Sequence, residues 1–178
     1  MLKKNILFTG PPRSGKSTLI EAVVKRIEER VTGFFTREIR DKGRRVGFSI
    51  NTLDGREGIL AHENIKSKLR VGKYGVNLKG IEAIAVPSMI PTRRVQIVVI
   101  DEIGKMECFS RLFKETLIRV LGYSNRMIGS IAEKGDHFIK RIKERDDVWL
   151  IRMTPQNRDG LVDQLLDSLK TQYQNNTD

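Results

Sequence analysis

Apolar and polar positions along the chain follow two rhythms. Residues 95–101, 126–132 and 147–153 read as strands. The segments after them, 107–121, 135–145 and 158–173, read as helices. Residues 3–9 form an apolar run. In residues 16–30, Leu19, Val23, Ile27 and Val31 recur near one helical face, with charges opposite. Such strand–helix alternation predicts right-handed βαβ units and a mostly parallel sheet, which the N-terminal unit joins.

Residues 33–55 break that rhythm. Two β-rich runs flank Asp41-Lys42-Gly43, a hairpin signal in which Gly43 supplies the turn. A second turn is expected at Leu53-Asp54-Gly55. Residues 56–76 read as short strands and loops, and 79–93 as helical within the limits set by Pro87 and Pro91. No repeat or linker interrupts the chain. The expectation is one α/β domain over residues 1–173 with a hairpin insertion, followed by a polar tail at 174–178.

Composition narrows the class. The 178 residues are 39% hydrophobic and 31% charged, a globular balance with room for a sizeable core. No apolar run reaches the ~18 residues that a membrane span requires, and the N-terminal run leads into a glycine motif, so no signal peptide is expected. Cys108 is the single cysteine and cannot form an internal disulfide, which fits a reducing, cytoplasmic setting. It reads as a packed side chain near a helix start more than as a catalytic thiol. His62 and His137 have no companions at metal spacing. The net charge of +11 favours anionic partners such as nucleotides, polyphosphates or nucleic acid. A thermophile surface rich in ion-pair networks gives the same signal.

GPPRSGKS supplies the first chemistry. Gly10, Pro11, Pro12, Arg13, Ser14, Gly15, Lys16 and Ser17 fit G-x-x-x-x-G-K-[ST] between a strand and a helix. Backbone N–H groups of such a loop wrap phosphate oxygens, and the helix start adds positive field. Gly10 and Gly15 give the backbone freedom for wrapping. Lys16 would reach the β and γ phosphates, the Ser17 hydroxyl would ligate Mg²⁺, and Thr18 would lie near the α phosphate. The Arg13 position has no evident need for positive φ.

VVIDEIGKME poses the second question, because two carboxylates close a buried strand with no turn between. Such charges are costly unless a cation meets them. Ile97-Val98-Val99-Ile100-Asp101 has the form of the metal-binding acidic strand of P-loop enzymes, expected beside the phosphate-loop strand. Asp101 would hold Mg²⁺ through its water shell. A Glu directly after that Asp, here Glu102, is the arrangement of ATPases that polarise a water; nucleotide kinases, with another acceptor, usually lack it. Glu102 is therefore assigned as general base or water-positioner, against the alternative of a strand-end surface carboxylate. Ser130, closing the next strand, either touches the γ phosphate or attacking water or is a satisfied strand-end serine.

These residues resemble the THEP-type nucleoside-triphosphatases of thermophiles and animals. The matching pieces are FTGPPRSGKSTLI, GFFTREIRDKGRRVGFSINTLDG, VGKYGVNL, VVIDEIGKMECFS, GSIAEKG and TPQNRDGL. They run in the family's order from about Leu7 to Leu161. DEIGKME and the GF-x-T-x-E-x-R segment are more specific than the phosphate loop. The resemblance implies a RecA-like P-loop fold and Mg²⁺-dependent hydrolysis of ATP, GTP, CTP and UTP to diphosphate and phosphate, with broad base specificity. It places nucleotide binding on Gly10 to Ser17 and on Ile100, Asp101, Glu102, Ile103, Gly104, Lys105, Met106 and Glu107. Glu107 then becomes either an outer-shell acid of the metal or an acid stabilising a helix N-terminus. Lys105 either counters phosphate charge or is solvated. Arg13 departs from the family, where glycine is commoner.

Hydrolysis of this kind often recruits an arginine, worth ~10³–10⁵-fold in the best cases. Candidates are Arg37, Arg40, Arg44 and Arg45 in the hairpin, favoured for the phosphate side, then Arg141, Arg145 and Arg158. Asn157 and Arg158, in the loop before the last helix, would touch base or ribose, or Asn157 would cap that helix. Phe34 and Phe35 read as core. A P-loop kinase is the competing enzyme, disfavoured by the Asp101-Glu102 pair and the lack of an arginine-rich lid. A nucleic-acid-binding ATPase switch fits the charge but lacks recognition motifs. The oligomeric state is open.

Overall fold

The computed structural model describes residues 3–154, 156–157 and 160–174. Among the described residues nine strands form one mixed sheet in the order β5-β6-β4-β3-β2-β7-β8-β1-β9. The strands are β1 (Asn5–Thr9), β2 (Val31–Asp41), β3 (Arg44–Thr52), β4 (Glu57–His62), β5 (Arg70–Val71), β6 (Tyr74–Val76), β7 (Ile97–Ile103), β8 (Arg126–Ile131) and β9 (Val148–Arg152). Strands β2, β7, β8, β1 and β9 run parallel. From β2 outward to β5 every pairing is antiparallel. The hairpin is therefore no separate appendage. Its first strand is also the outermost parallel strand, so the insertion prolongs the main sheet.

Helices α1 (Lys16–Val24), α4 (Arg111–Gly122), α5 (His137–Lys143) and α6 (Leu161–Gln174) follow strands, as the alternation requires. Short turns α2 (Leu78–Gly80) and α3 (Val86–Ser88) are joined by a π-helical turn, Ile81–Ala85, with Pro87 in the first turn of α3. Side chains alternate between the sheet's faces. Ile6, Phe8, Val99 and Ile128 pack with Leu19, Ile20 and Val23 of α1 and Leu165 and Leu169 of α6. Leu7, Val98, Ile100 and Met127 face α4, α5 and the π turn. Covering both faces is what makes these strands unbroken apolar runs.

Helix boundaries move from the sequence expectation. Helix α1 ends at Val24, because Val31 is drawn into parallel pairing with Ile97 and cannot extend the helical stripe. Glu107–Phe109 is a 3₁₀ turn, and α4 begins only after Ser110, whose hydroxyl accepts from the Phe113 N–H at 3.0 Å. Asp136 caps α5 in the same way through Phe138 and Ile139. One topological expectation is corrected. Strand β8 lies between β7 and β1, so the acidic strand is one strand removed from the phosphate-loop strand. Among the described residues no helix is long and apolar enough to cross a membrane.

Candidate active site

The phosphate loop leaves β1 at Thr9 and enters α1 at Lys16. Gly10, at φ 146°, passes so close to the strand-β9 exit that a Cβ there would stand 2.8 Å from the Met153 carbonyl oxygen. Arg13 has φ 64°, the left-handed region, contrary to the expectation that its position needs no such freedom. A residue with a Cβ bears about 1–2 kcal/mol there that glycine does not. Lys16 folds back over the loop. Its Nζ donates to the carbonyls of Gly10 and Pro11, both at 3.1 Å, and to Ser14 Oγ at 3.4 Å. Ser17 and Thr18 are exposed at the start of α1.

The two carboxylates lie at an irregularity of β7. Its register against β8 passes from Ile100↔Gly129 to Ile103↔Ile131, three residues against two. Such an extra residue re-aims side chains. Asp101 is 1% exposed. Its Oδ1 accepts from Ser130 Oγ, while Oδ2 is buried without a hydrogen bond. Burial pushes the Asp101 carboxyl up; hydrogen bonds from Ser130 and Ser17 and the Lys16 charge oppose this. Burial, then the neighbouring Asp101 charge, also raises Glu102, with Lys16 opposing. Ser130 therefore supports Asp101, the role its strand-end position left open.

Glu107 is 4% exposed. It accepts from the Gly104 N–H at 3.2 Å and from its own N–H at the head of the 3₁₀ turn. Burial, reinforced by the charge of Glu102, pushes its carboxyl up to about 8. A Cβ on Gly104 would sit 2.9 Å from Glu107 Oε2 and 3.5 Å from Glu102 Oε1, so both carboxylates converge over that glycine. Ile100 and Ile103 are fully buried core, and Met106 packs against the same core. Lys105 is exposed and lines a separate hollow with Cys108 and Lys134. Burial drives the Cys108 thiol up to about 12, which leaves it a packed side chain and a poor nucleophile.

A cavity of about 450 Å³ gathers Pro12 through Thr18 and Glu102. It also takes in Thr36, Arg37, Glu38, Arg45 and Phe48 from the hairpin. Of these hairpin residues, sequence reasoning singled out only Arg37 and Arg45. Phe48, the one aromatic among the described residues lining this cavity, carries the Arg45 guanidinium 5.1 Å above its ring. The alternation of β3 hinted at it, but which face would meet the loop depended on strand order. Phe34 and Phe35 are core, as expected. Arg40 and Arg44 are engaged at the hairpin tip, with Gly43 and Glu63. Arg141 and Arg145 lie elsewhere, around α5.

Asn157 is not the cap of α6, which starts at Leu161. Its Oδ1 accepts from the Thr154 N–H and its Nδ2 donates to the Arg152 carbonyl, each at 2.8 Å. It shapes the loop that passes the phosphate loop at Met153. Arg158 lies outside the described residues.

A glycine-bearing loop between strand and helix, with an acidic strand two places away in a covered sheet, defines a P-loop α/β protein. The NTPase family model matches residues 5–166. Nucleoside-triphosphatase THEP1 of Thermotoga sp. is 42% identical over 166 residues, 93% of this chain and 95% of that protein. The crystal structure of THEP1 from the hyperthermophile Aquifex aeolicus superposes with a TM-score of 0.84 at 35% identity, covering 93% of this chain and 98% of that one. The solution structure of a human cancer-related nucleoside triphosphatase gives 0.80 at 33% identity, with 94% and 98% covered. The chain belongs to the NTPase family.

Proposed function

We propose that this protein is a Mg²⁺-dependent nucleoside-triphosphatase that converts ATP, GTP, CTP and UTP to diphosphate and phosphate with broad base specificity. The observation that carries the reading is Glu102, placed in the same cavity as the phosphate loop and directly after the buried Asp101. A carboxylate there can orient a water against the γ phosphate and take its proton. The raised proton affinity of Glu102 makes it a better base than an ordinary carboxylate.

Lys16 would exchange the Gly10 and Pro11 carbonyls for β- and γ-phosphate oxygens, and the N–H groups of residues 13–18 would hold the rest. The residues present fit a Mg²⁺ ion: the Ser17 hydroxyl beside Asp101 and the unpartnered Asp101 Oδ2 are the donors such a site needs. Among the described residues no cluster of three His, Cys, Asp or Glu residues forms a cage. That suits an ion held by few protein groups plus substrate phosphates and water. When bound it would neutralise charge on the β and γ phosphates. Asn157, and Arg158 after it, would approach base or ribose. The names of the relatives support the hydrolase class.

The test is phosphate release from the four triphosphates with and without Mg²⁺, for wild type and Glu102→Gln. Mg²⁺-dependent release from all four, reduced about 10²–10⁴-fold in the variant with nucleotide binding retained, is expected. Release only after adding a phosphoryl acceptor or an oligonucleotide would replace the reading with a kinase or a nucleic-acid-driven switch.

A further inference from the structure

We propose that Arg37, delivered by the hairpin within the same chain, is the arginine that neutralises charge on the transferred phosphoryl group, and that Glu21 of α1 holds it in reserve until nucleotide binds. This rests on the phosphoryl chemistry of the cavity just described.

The register of β2 against β7 places the side chain. Phe35 is opposite Asp101, so Arg37 stands two residues beyond, past the level of Glu102 on a strand about 4.8 Å away. Alternation puts Arg37 on the face of Phe35, and Phe35 packs against the α1 layer. Arg37 accordingly meets α1. Its Nη1 lies 3.2 Å from Glu21 Oε1. Glu21 is four residues after Ser17, one helical turn or about 6 Å along the same face. The guanidinium is thus parked one turn from the hydroxyl beside Asp101, and it lines the cavity that contains Lys16 and Glu102.

Each of the other hairpin arginines makes two hydrogen bonds. Arg44 makes a two-pronged contact with Glu63, both bonds at 2.7 Å. Arg40 donates to the Gly43 carbonyl at 2.8 Å. Arg45 is held by Glu38 at 2.8 Å and by Tyr74 Oη at 3.1 Å, and lies over two aromatic rings. Among the described contacts Arg37 has the Glu21 ion pair alone, with its side chain 54% and that of Glu21 26% exposed. Such pairs are weak and easily exchanged. A triphosphate presents far more negative charge than one carboxylate, and the planar guanidinium suits two phosphoryl oxygens at once.

The experiment compares wild type, Arg37→Ala, Arg37→Lys, Glu21→Gln and Arg13→Ala. The readouts are kcat, KM and the Kd of ADP alone and of ADP with aluminium fluoride, a mimic of the transferring phosphoryl. For Arg37→Ala, kcat is expected to fall roughly 10³-fold with KM little changed. The fluoride complex weakens by a similar factor while ADP affinity holds. Arg37→Lys recovers a minor part. Glu21→Gln lowers KM, since no carboxylate must be displaced, and keeps the tight fluoride complex. Equal weakening of ADP and ADP–fluoride in Arg37→Ala would overturn the proposal. So would a loss in Glu21→Gln as large as that in Arg37→Ala, which would make the pair structural. A selective fluoride loss in Arg13→Ala, with Arg37→Ala silent, would assign the role to the loop arginine instead. Because fluoride affinity is read without turnover, a wild type that fails to hydrolyse triphosphates sinks the proposed function and still leaves Arg37 decided.

Discussion

In β2–β7–β8–β1–β9 the strands run parallel, and β1, β7 and β8 are buried on both faces; in β3–β4–β6–β5 they run antiparallel and carry charge along exposed edges. The parallel half holds Asp101, Ser130 and Glu107 at 4% exposure or less, each satisfied by a specific neighbour or aimed at the site. The antiparallel half, with the outer end of β2 that pairs with it, arranges Arg44–Glu63–Lys73 and Arg40–Glu38–Arg45 in solvent. Neighbouring cations hold the carboxyl of Glu63 down to about 2, and hydrogen bonds from Arg45 and Arg40 lower that of Glu38. The same residue types thus do opposite things. Buried acids are pushed up and poised for protons or a cation. Exposed acids are pulled down and serve as anchors for arginines. The cavity lies where the two halves meet at β2, so fixed groups face exchangeable ones.

The most damaging way to break this division is at the junction itself. Gly33, at φ 120°, pairs with Val99, and a Cβ there would lie 1.8 Å from the Val99 carbonyl oxygen. Neither backbone can yield without parting β2 from β7. Gly33→Ala is expected to cost at least about 4 kcal/mol, read by chemical denaturation. A cost below about 1 kcal/mol would mean that the halves are loosely joined.

Ser130→Ala tests the buried half. Removing the hydroxyl leaves a buried acceptor on Asp101 short of a partner, at about 1–3 kcal/mol. That hydrogen bond also lowers the proton affinity of Asp101. Its loss should move the acid limb of the pH–kcat/KM profile to higher pH. An unmoved limb would free Asp101 from Ser130.

Glu107→Gln sharpens the contrast in proton affinity. The folded carboxyl titrates near 8 and the unfolded one near its ordinary value of 4.5. Between those values the folded state binds the extra proton. Wild-type stability should therefore fall as pH rises through that window, by roughly 1.4 kcal/mol per pH unit at most, and level off above 8. The amide cannot ionise, so the variant should lose the slope and gain Tm over wild type at pH 8–9, with little gain near pH 5. Parallel Tm profiles for the two proteins would place the ionised carboxylate in a better-compensated niche.

Arg13→Gly is a smaller change. Relief of the left-handed backbone gains about 1–2 kcal/mol, and the greater freedom of the unfolded glycine returns ~0.4–1 kcal/mol of it. A small rise in Tm is expected. Arg44→Ala should be smallest of all, a Tm change near the limit of detection, because its contact with Glu63 is screened by water. A large loss there would show the antiparallel edge to be more than a carrier of exchangeable charge.

Much of this was legible from local chemistry. Gly10 to Ser17 announced a glycine-bearing turn between strand and helix through spacing alone. Asp41-Lys42-Gly43 announced its hairpin, with Lys42 and Gly43 both at positive φ. The unbroken Ile97–Ile100 run announced a strand covered on both faces. These signals are short-range: a turn, a cap or a buried run needs only residues that lie within a few positions of one another.

The α/β class, the glycine-bearing loop and the pair of acids that closes an apolar strand are written in contiguous residues and were legible from them. Tertiary structure alone decided the rest. It inserted β8 between β7 and β1 and so gave Ser130 to Asp101. It put Arg13 at φ 64° through loop closure and turned Asn157 inward on its own loop. It folded the hairpin onto the sheet so that Arg37 reached Glu21 and Phe48 reached the cavity. Each of these joins residues far apart in the chain or depends on which strand lies beside which. Pairing across a sheet is settled by the burial of both faces together, and no local pattern encodes it.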